Sequence, residues 1–131
     1  MCSLGPEILK ASLNRQTPTD VGEFIRKAFV YGMRNGETLC IDTDRTKPDF
    51  ANYNLDGTFN AEMFFNWAEL NKEENFMTYV RESENHGIGG INPGFGYTRS
   101  PNFCMIIRCG LSDESDVQEV IEKIPGFNEN F

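Results

Sequence analysis

The sequence has one histidine, and none of its four cysteines forms a C-x-x-C pair. Zinc sites need several closely spaced Cys and His ligands, so we expect no metal. The four are Cys2, Cys40, Cys104 and Cys109. Three of them lie in strand-like apolar runs, which predicts reduced, buried thiols of a cytosolic or nuclear protein. The chain lacks both the run of about 20 apolar residues needed to span a bilayer and an opening signal peptide. We therefore expect a cytoplasmic protein without a membrane partner.

Basic residues are also scarce, since 12 Lys and Arg face 20 Asp and Glu, for a net charge of −8. An acidic surface repels phosphate backbones, so we predict no nucleic-acid partner. A charge of this size keeps a protein soluble, which is the simpler interpretation. A basic protein surface as partner is the alternative.

A phosphate-binding loop is missing as well. The glycine-rich stretch 86–99 contains no lysine, and it leads into a strand instead of a helix. Gly87 and Gly89 begin a G-x-G pattern, but Asn92 stands where the third glycine of a dinucleotide fingerprint belongs. The stretch therefore predicts a mobile loop, and we expect no cofactor.

The length and the apolar content of the chain predict one folded domain over residues 1–131. Apolar residues make up 39% of the chain, and 11 residues are Phe. A chain of this length buries enough surface to fold without disulfides. Residues 127–131 are predicted to form a flexible tail.

The clearest element is a helix that begins after Thr17. Thr17, Pro18 and Asp20 form a capping-box start, and Asn35-Gly36 is a typical left-handed stop. We expect this helix to bury one face against the next strand. Apolar residues at helical spacing form that face: Val21, Phe24, Ile25, Ala28 and Phe29.

Two apolar runs predict buried strands. Thr38–Ile41 suits a strand covered on both faces, and Phe103–Ile107 has five consecutive apolar residues. Because helices separate the two runs, we expect a parallel pair, with a further edge strand at 50–59 or 86–99.

Further helices are predicted over 3–14, over 60–83 in two pieces capped by Asn60 and Asn71, and from Ser112 onward. The expected fold class is α/β, with a small, mostly parallel sheet of few strands covered by four or five helices.

Charged residues follow both strands. Asp42 and Asp44 follow the first strand, and Arg108 ends the second. Ligands of open α/β sheets bind outside the carboxyl ends of the strands. These three residues are therefore the candidate site if the chain binds a nucleotide or Mg²⁺, or is a small enzyme. No nucleophile triad accompanies them, so the sequence leans against an enzyme.

The run Leu-Cys-Ile-Asp at 39–42 and the Lys-Pro-Asp-Phe at 47–50 resemble part of an AAA-type P-loop domain. The second strand and the polar, capped helix after it are similar to a later pair in such domains, and the nearest members are dynein-like and ciliary IQ-motif AAA proteins. Asp42 matches the Walker B acid, but Thr43 stands where many such ATPases have glutamate, and no Walker A motif exists. The resemblance implies a domain that has lost nucleotide hydrolysis, in a cytoskeletal or ciliary assembly.

The resulting hypothesis is a non-catalytic protein-interaction module. The loop 86–99 carries four apolar residues that an idle linker would not need, and these are the predicted partner-binding residues: Ile88, Ile91, Phe95 and Tyr97. We expect the loop to become ordered when they meet a partner or the body of the domain. Most aromatic residues of 59–79 are expected in the core, and any left exposed would mark a partner surface. The oligomeric state does not follow from the sequence.

Overall fold

The computed structural model describes residues 2–3 (backbone), 17–43, 45, 47–86 and 96–127. Three parallel strands form a sheet in the order β1 (Cys2–Ser3), β2 (Thr38–Asp42) and β3 (Cys104–Arg108). Five α-helices accompany it in the described ranges: α1 (Pro18–Asn35), α2 (Ala61–Phe64), α3 (Trp67–Leu70), α4 (Glu73–Phe76) and α5 (Glu114–Glu122). The predicted small, parallel α/β architecture is confirmed.

Helix α1 begins and ends where the sequence predicts. The Thr17 hydroxyl accepts a hydrogen bond from the Asp20 N–H at 3.2 Å, and the Asp20 carboxylate accepts one from the Thr17 N–H at 3.1 Å. This capping box satisfies two N–H groups that the helix itself leaves unpaired. Gly36 ends the helix with φ +70°, and a Cβ there would lie 2.4 Å from the Ser100 hydroxyl.

The buried face of α1 is rotated relative to the prediction. Phe29 is fully buried, but Phe24 is 37% exposed, so the prediction that both pack beneath β2 was wrong for Phe24. The side chain of Arg26 is fully buried instead. The face therefore centres on Ile25, Phe29 and Met33, which leaves Phe24 on its flank.

An aromatic cluster around Phe29 joins α1 to the rest of the chain. Its ring meets the rings of Phe64, Tyr79 and Phe103 edge to face, at centroid distances of 5.4, 5.3 and 5.7 Å. Edge-to-face pairs add about 0.5–1.5 kcal/mol each beyond the burial of their area. Trp67 is half-buried, stacks on Phe103 and is covered by the guanidinium of Arg99. The described aromatics of 59–79 are thus core residues, as most were expected to be, and none is left exposed.

The helical connection between β2 and β3 is divided into more and shorter helices than predicted. Two helical pieces were expected over 60–83, but three four-residue helices and two 3-10 helices (Met77–Tyr79 and Glu82–Glu84) occur. Asn60 caps α2 as predicted, since its side chain accepts from the Met63 N–H at 3.0 Å. Asn71 does not cap the next helix, because it ends α3. At the C-terminal end, α5 begins at Glu114 instead of Ser112, with Asp113 as its N-cap.

A third strand, β1, lies at residues 2–3 and not in the range 50–59, one of the two ranges in which we expected an edge strand; most of the other range, 86–99, lies outside the described residues. Residues 50–59 form a 3-10 helix (Phe50–Tyr53) and a turn closed by a bridge between Leu55 and Phe59. The added strand is β1, whose two residues the sequence assigned outside any strand. Residues 4–16, including most of the predicted first helix, lie outside the described residues, as do 128–131 of the predicted tail.

The thiols are not all buried as expected. Cys40 is buried, but Cys109 is partly exposed and Cys104 is exposed. None of the helices in the described ranges combines the length and apolar character that crossing a bilayer requires.

Replacing Phe29 with Ala is expected to lower the free energy of unfolding by about 3–5 kcal/mol, because it empties the centre of the aromatic cluster. The matched change Phe24→Ala should cost about 1 kcal/mol or less, because a partly exposed ring leaves no cavity. Urea unfolding of both variants measures the difference. Equal losses would show that the buried face of α1 is assigned wrongly.

Candidate functional site

The carboxyl ends of β2 and β3 bring two of the predicted site residues together. Arg108 Nη1 donates to Asp42 Oδ2 at 2.5 Å, across neighbouring strands in register. Thr43, which follows β2 and is buried, donates its N–H and its hydroxyl to the Arg108 carbonyl at 2.9 and 3.1 Å. The third predicted residue, Asp44, lies outside the described residues.

These contacts lock the strand ends to each other. The Asp42 carboxylate is mostly covered, with 14% of its side chain exposed, and it already accepts from a cation. Nearby, Lys47 Nζ donates to Asp116 Oδ1 at 2.6 Å and lies 3.0 Å from Glu119 Oε2, which ties the loop after β2 to α5. These hydrogen bonds, that to Asp116 first, raise the pKa of Lys47. In the described ranges, no group of three or more Asp, Glu, His and Cys side chains could hold a metal ion.

The most heavily buried charge lies elsewhere, on α1. The Arg26 guanidinium donates to both carboxylate oxygens of Glu23, to both of Glu84 and to the Tyr79 carbonyl, at 2.6 to 3.1 Å. Arg81 reaches Glu23 from the outside at 2.7 Å. Sequence periodicity could not find this cluster, since Glu84 is 58 residues from Arg26.

The acid–base properties of this cluster are those of a structural ion-pair network. Burial disfavours the Arg26 cation, but the hydrogen bonds that it donates to Glu23 and Glu84 outweigh this effect and raise the pKa of Arg26. The hydrogen bond from Arg26 is the largest cause lowering the pKa of Glu23. Burial would raise the pKa of Glu84, yet hydrogen bonds from Arg26 and the Arg81 N–H lower it overall. All three groups stay charged at neutral pH, so none is poised to transfer protons.

A surface hollow of about 450 Å³ lies between the turn 54–60 and Thr78–Tyr79. Its one phenol, Tyr79, donates to the Asn60 carbonyl at 2.7 Å, and burial raises its pKa. That hydroxyl is therefore committed to a backbone hydrogen bond.

The outer edge of β3 is open in the part of the chain that the structure describes. β3 pairs with β2 on one side, and no described strand lies on the other. Because the Arg108 carbonyl accepts from Thr43 on the β2 side, alternation directs the N–H and C=O groups of Cys104, Ile106 and Arg108 towards β2. Those of Met105 and Ile107 therefore point away from the sheet.

One face of the same strand is exposed. Cys104, Ile106 and Arg108 are exposed, whereas Met105 and Ile107 on the other face pack against the core. Ile106 lies beside Cys40 of β2 and is 49% exposed. Parallel sheets are normally covered on both faces, so an exposed isoleucine here is unusual. The sequence gives no sign of it, because Phe103–Ile107 is apolar throughout.

A second exposed apolar strip lies on the flank of α1, with Phe24 37% and Tyr31 58% exposed. A hollow of about 240 Å³ adjoins it, lined by residues that include Ala28, Tyr31 and Leu39. Nothing among the described residues indicates what would cover this strip.

The predicted partner-binding residues are separated by the structure. Tyr97 is buried, and its hydroxyl donates to the Val30 carbonyl at 2.8 Å beneath the Arg34 guanidinium. It meets the body of the domain and does not offer its ring to a partner. Ile88, Ile91 and Phe95 lie outside the described residues, so their role stays a prediction.

Comparisons of the chain with protein-family models, with curated proteins and with solved structures find no match. Function is therefore inferred from the geometry of the chain itself. The resemblance to AAA-type domains stays a prediction.

Acidification is expected to destabilise the protein through the Arg26 cluster. The pKa values of Glu23 and Glu84 are lowered from their usual 4.5 in the folded chain. Such carboxyls stabilise the fold fully above their unfolded pKa, and this stabilisation is lost as pH falls through the folded pKa. The loss should thus begin near pH 4.5 and continue below it.

The variant Glu84→Gln should flatten the pH dependence of the unfolding free energy from about pH 4.5 downward. The neighbouring change Glu82→Gln, at an exposed residue, is the control. Denaturant unfolding from pH 7 to pH 3 measures both. An unchanged slope in Glu84→Gln would contradict a stabilising role for this carboxylate.

Proposed function

We propose that the chain is a non-catalytic protein-interaction module that takes up an extended strand of a partner along the open edge of β3. The observation that carries this proposal is Ile106, which is 49% exposed in the middle of a strand with outward-facing backbone groups. An added strand would satisfy the N–H and C=O groups of Met105 and Ile107. It would also cover one side of Ile106.

The chemistry of strand addition fits this edge. Main-chain hydrogen bonds give affinity, and alternate side chains give specificity. Each such bond contributes about 0.5–1.5 kcal/mol net, so four bonds together with burial of Ile106 suffice for a weak, reversible complex. The residues next to an added strand on the exposed face would be Cys104, Ile106 and Arg108.

The lack of edge protection also supports the proposal. Edge strands usually carry lysine, proline or a bulge that prevents pairing with another chain. The sequence of β3, Cys-Met-Ile-Ile-Arg, contains neither lysine nor proline, and its register with β2 runs without interruption over five residues. Its one charged residue, Arg108, stands at the end of the strand and is paired with Asp42. An unprotected edge is a liability unless a partner occupies it.

A nucleotide- or Mg²⁺-binding domain is the second candidate, favoured by the convergence of Asp42 and Arg108 at the carboxyl edge of a parallel sheet. Their mutual ion pair weighs against it, because a ligand would have to displace that contact. A rise of several degrees in the melting temperature with ATP and magnesium would favour this candidate. The cytoskeletal or ciliary setting implied by the resemblance stays a prediction on which neither proposal depends.

Replacing Ile106 with Lys is expected to abolish binding of strand-forming peptides. The peptides would be selected from a random display library against the native chain, and their affinities measured by fluorescence polarisation at low protein concentration. A lysine at this position removes apolar contact and adds the charge that natural edges use to block pairing.

The matched control is Tyr31→Lys, which places the same charge on the exposed flank of α1. It should leave the affinities unchanged. Both variants should unfold within about 1 kcal/mol of the native chain, since each replaces an exposed side chain. Selected peptides that bind the Ile106 variant as tightly as the native chain would refute the proposed edge.

A further inference from the structure

We infer that the strand taken up by β3 is β3 of a second copy of the chain, antiparallel to the first around a two-fold axis at Ile106. This inference rests on the proposed function, since it names the partner of the same edge. The described sheets of the two copies, three strands each, would join into one, with the two copies of β3 next to each other.

The directions of the backbone groups fit this register. In an antiparallel pair, opposed residues alternate between pairs that exchange both hydrogen bonds and pairs that exchange none. With Ile106 opposite Ile106 of the second copy, Met105 stands opposite Ile107 of the second copy, and the reverse. All four residues direct their N–H and C=O groups outward, so the two pairs form four hydrogen bonds and leave no outward group between them unused.

The side chains are complementary in the same register. The two isoleucines meet in the pair without hydrogen bonds, in which side chains approach most closely. Each exposed Ile106 is thus covered by its own counterpart. A shift of two residues, the smallest slip that again opposes outward-facing backbone groups, would place Ile106 opposite Cys104 or Arg108 and lose this apolar contact.

The charges of the strand also favour a second copy. From Asn102 to Ile107 the chain is uncharged, and the charge of Arg108 is balanced by Asp42 of its own copy. In the proposed register, Arg108 faces Cys104 of the second copy, and the two arginines lie about 14 Å apart, four residues at roughly 3.4 Å each. That separation exceeds the screening length of about 8 Å at physiological salt. A charged peptide, by contrast, would find no unbalanced charge on this strand to select it.

The expected dimer is weak. One pair of five-residue strands buries less than the roughly 1,200 Å² typical of stable complexes. Each copy also carries a net charge of −8, which opposes association. Adding salt screens this repulsion, so dimerisation should strengthen as the salt concentration rises to about 0.15 M. A basic partner strand would show the opposite dependence.

Hydrogen exchange of the native chain, followed by NMR at low and high protein concentration, tests the register without any substitution. The N–H groups of Cys104, Ile106 and Arg108 should be protected at both concentrations, because they bond to β2. Those of Met105 and Ile107 should exchange fast in the dilute chain and become protected in the concentrated one. Fast exchange of both at every concentration would overturn the inference.

A cross-link tests the same register. The change Ile106→Cys, with the four native cysteines replaced by Ser, should give a disulfide-linked dimer, since Cα atoms in such a pair lie about 4.5 Å apart, within disulfide range. The matched control Tyr31→Cys in the same background should stay monomeric. If the cysteine-free chain does not fold, the exchange measurement on the native chain decides.

Sedimentation velocity separates this inference from the proposed function. The native chain should show a monomer–dimer equilibrium, which Ile106→Lys weakens by about tenfold or more through two lysines placed opposite each other. If the native chain stays monomeric at all concentrations while Ile106→Lys abolishes peptide binding, the inference that a second copy is the partner falls and the proposed function stands. If Ile106→Lys changes neither association nor peptide binding, both proposals fall.

Discussion

The buried guanidinium of Arg26 constrains the fold more than any other single group in the described part of the chain. A charge in the interior is tolerated only when it is paired and fully hydrogen-bonded. Glu23 lies one turn away on α1, but Glu84 and the Tyr79 carbonyl come from a distant segment. The segment 77–86 must therefore fold back across α1. Arg34 reinforces this contact by donating to the Glu84 carbonyl at 2.6 Å.

The same contact organises the aromatic core. Tyr79 offers its carbonyl to Arg26 and its ring to Phe29, so the ionic and aromatic clusters share one residue. Phe103 closes the aromatic cluster directly before β3 begins. The position of the last strand at the sheet edge is thus fixed by packing on α1. The short helices between β2 and β3 place the rings of Phe64 and Tyr79 against Phe29.

Sequence patterns predicted the elements whose causes are local. The capping box at Thr17, the left-handed stop at Gly36 and the apolar run of β2 each depend on a few neighbouring residues. The rotation of α1 could not be predicted, because periodicity assigns Arg26 to solvent, and only the distant Glu84 makes its burial favourable. Phe24 was misplaced for that reason. Similarly, the run of β3 predicts a strand but not which of its faces the rest of the chain leaves uncovered.

The candidate site was also only partly predictable. The carboxyl ends of parallel strands lie at the same edge of a sheet, so the sequence could predict that Asp42 and Arg108 lie close together. The sequence could not predict that Asp42 and Arg108 pair with each other, which leaves neither charge available to a ligand unless the ion pair breaks. The open edge depends on the strand order, which follows from tertiary packing. No local pattern marks Met105 and Ile107 as the residues that direct their backbone groups outward.

An open edge need not lead to fibres, and the two edges of this sheet differ in a way that limits growth. Among the described residues, β1 pairs over two positions, so this part of the edge offers little to a neighbouring copy. Addition of β3 to β1 of another copy would leave a free edge each time and could continue without end. Pairing of β3 with β3 uses the longer edge of both copies at once and closes after two. The acidic net charge of each copy also opposes the growth of an open-ended array. A short edge, a long self-complementary edge and a shared negative charge together favour a closed pair over an extended array.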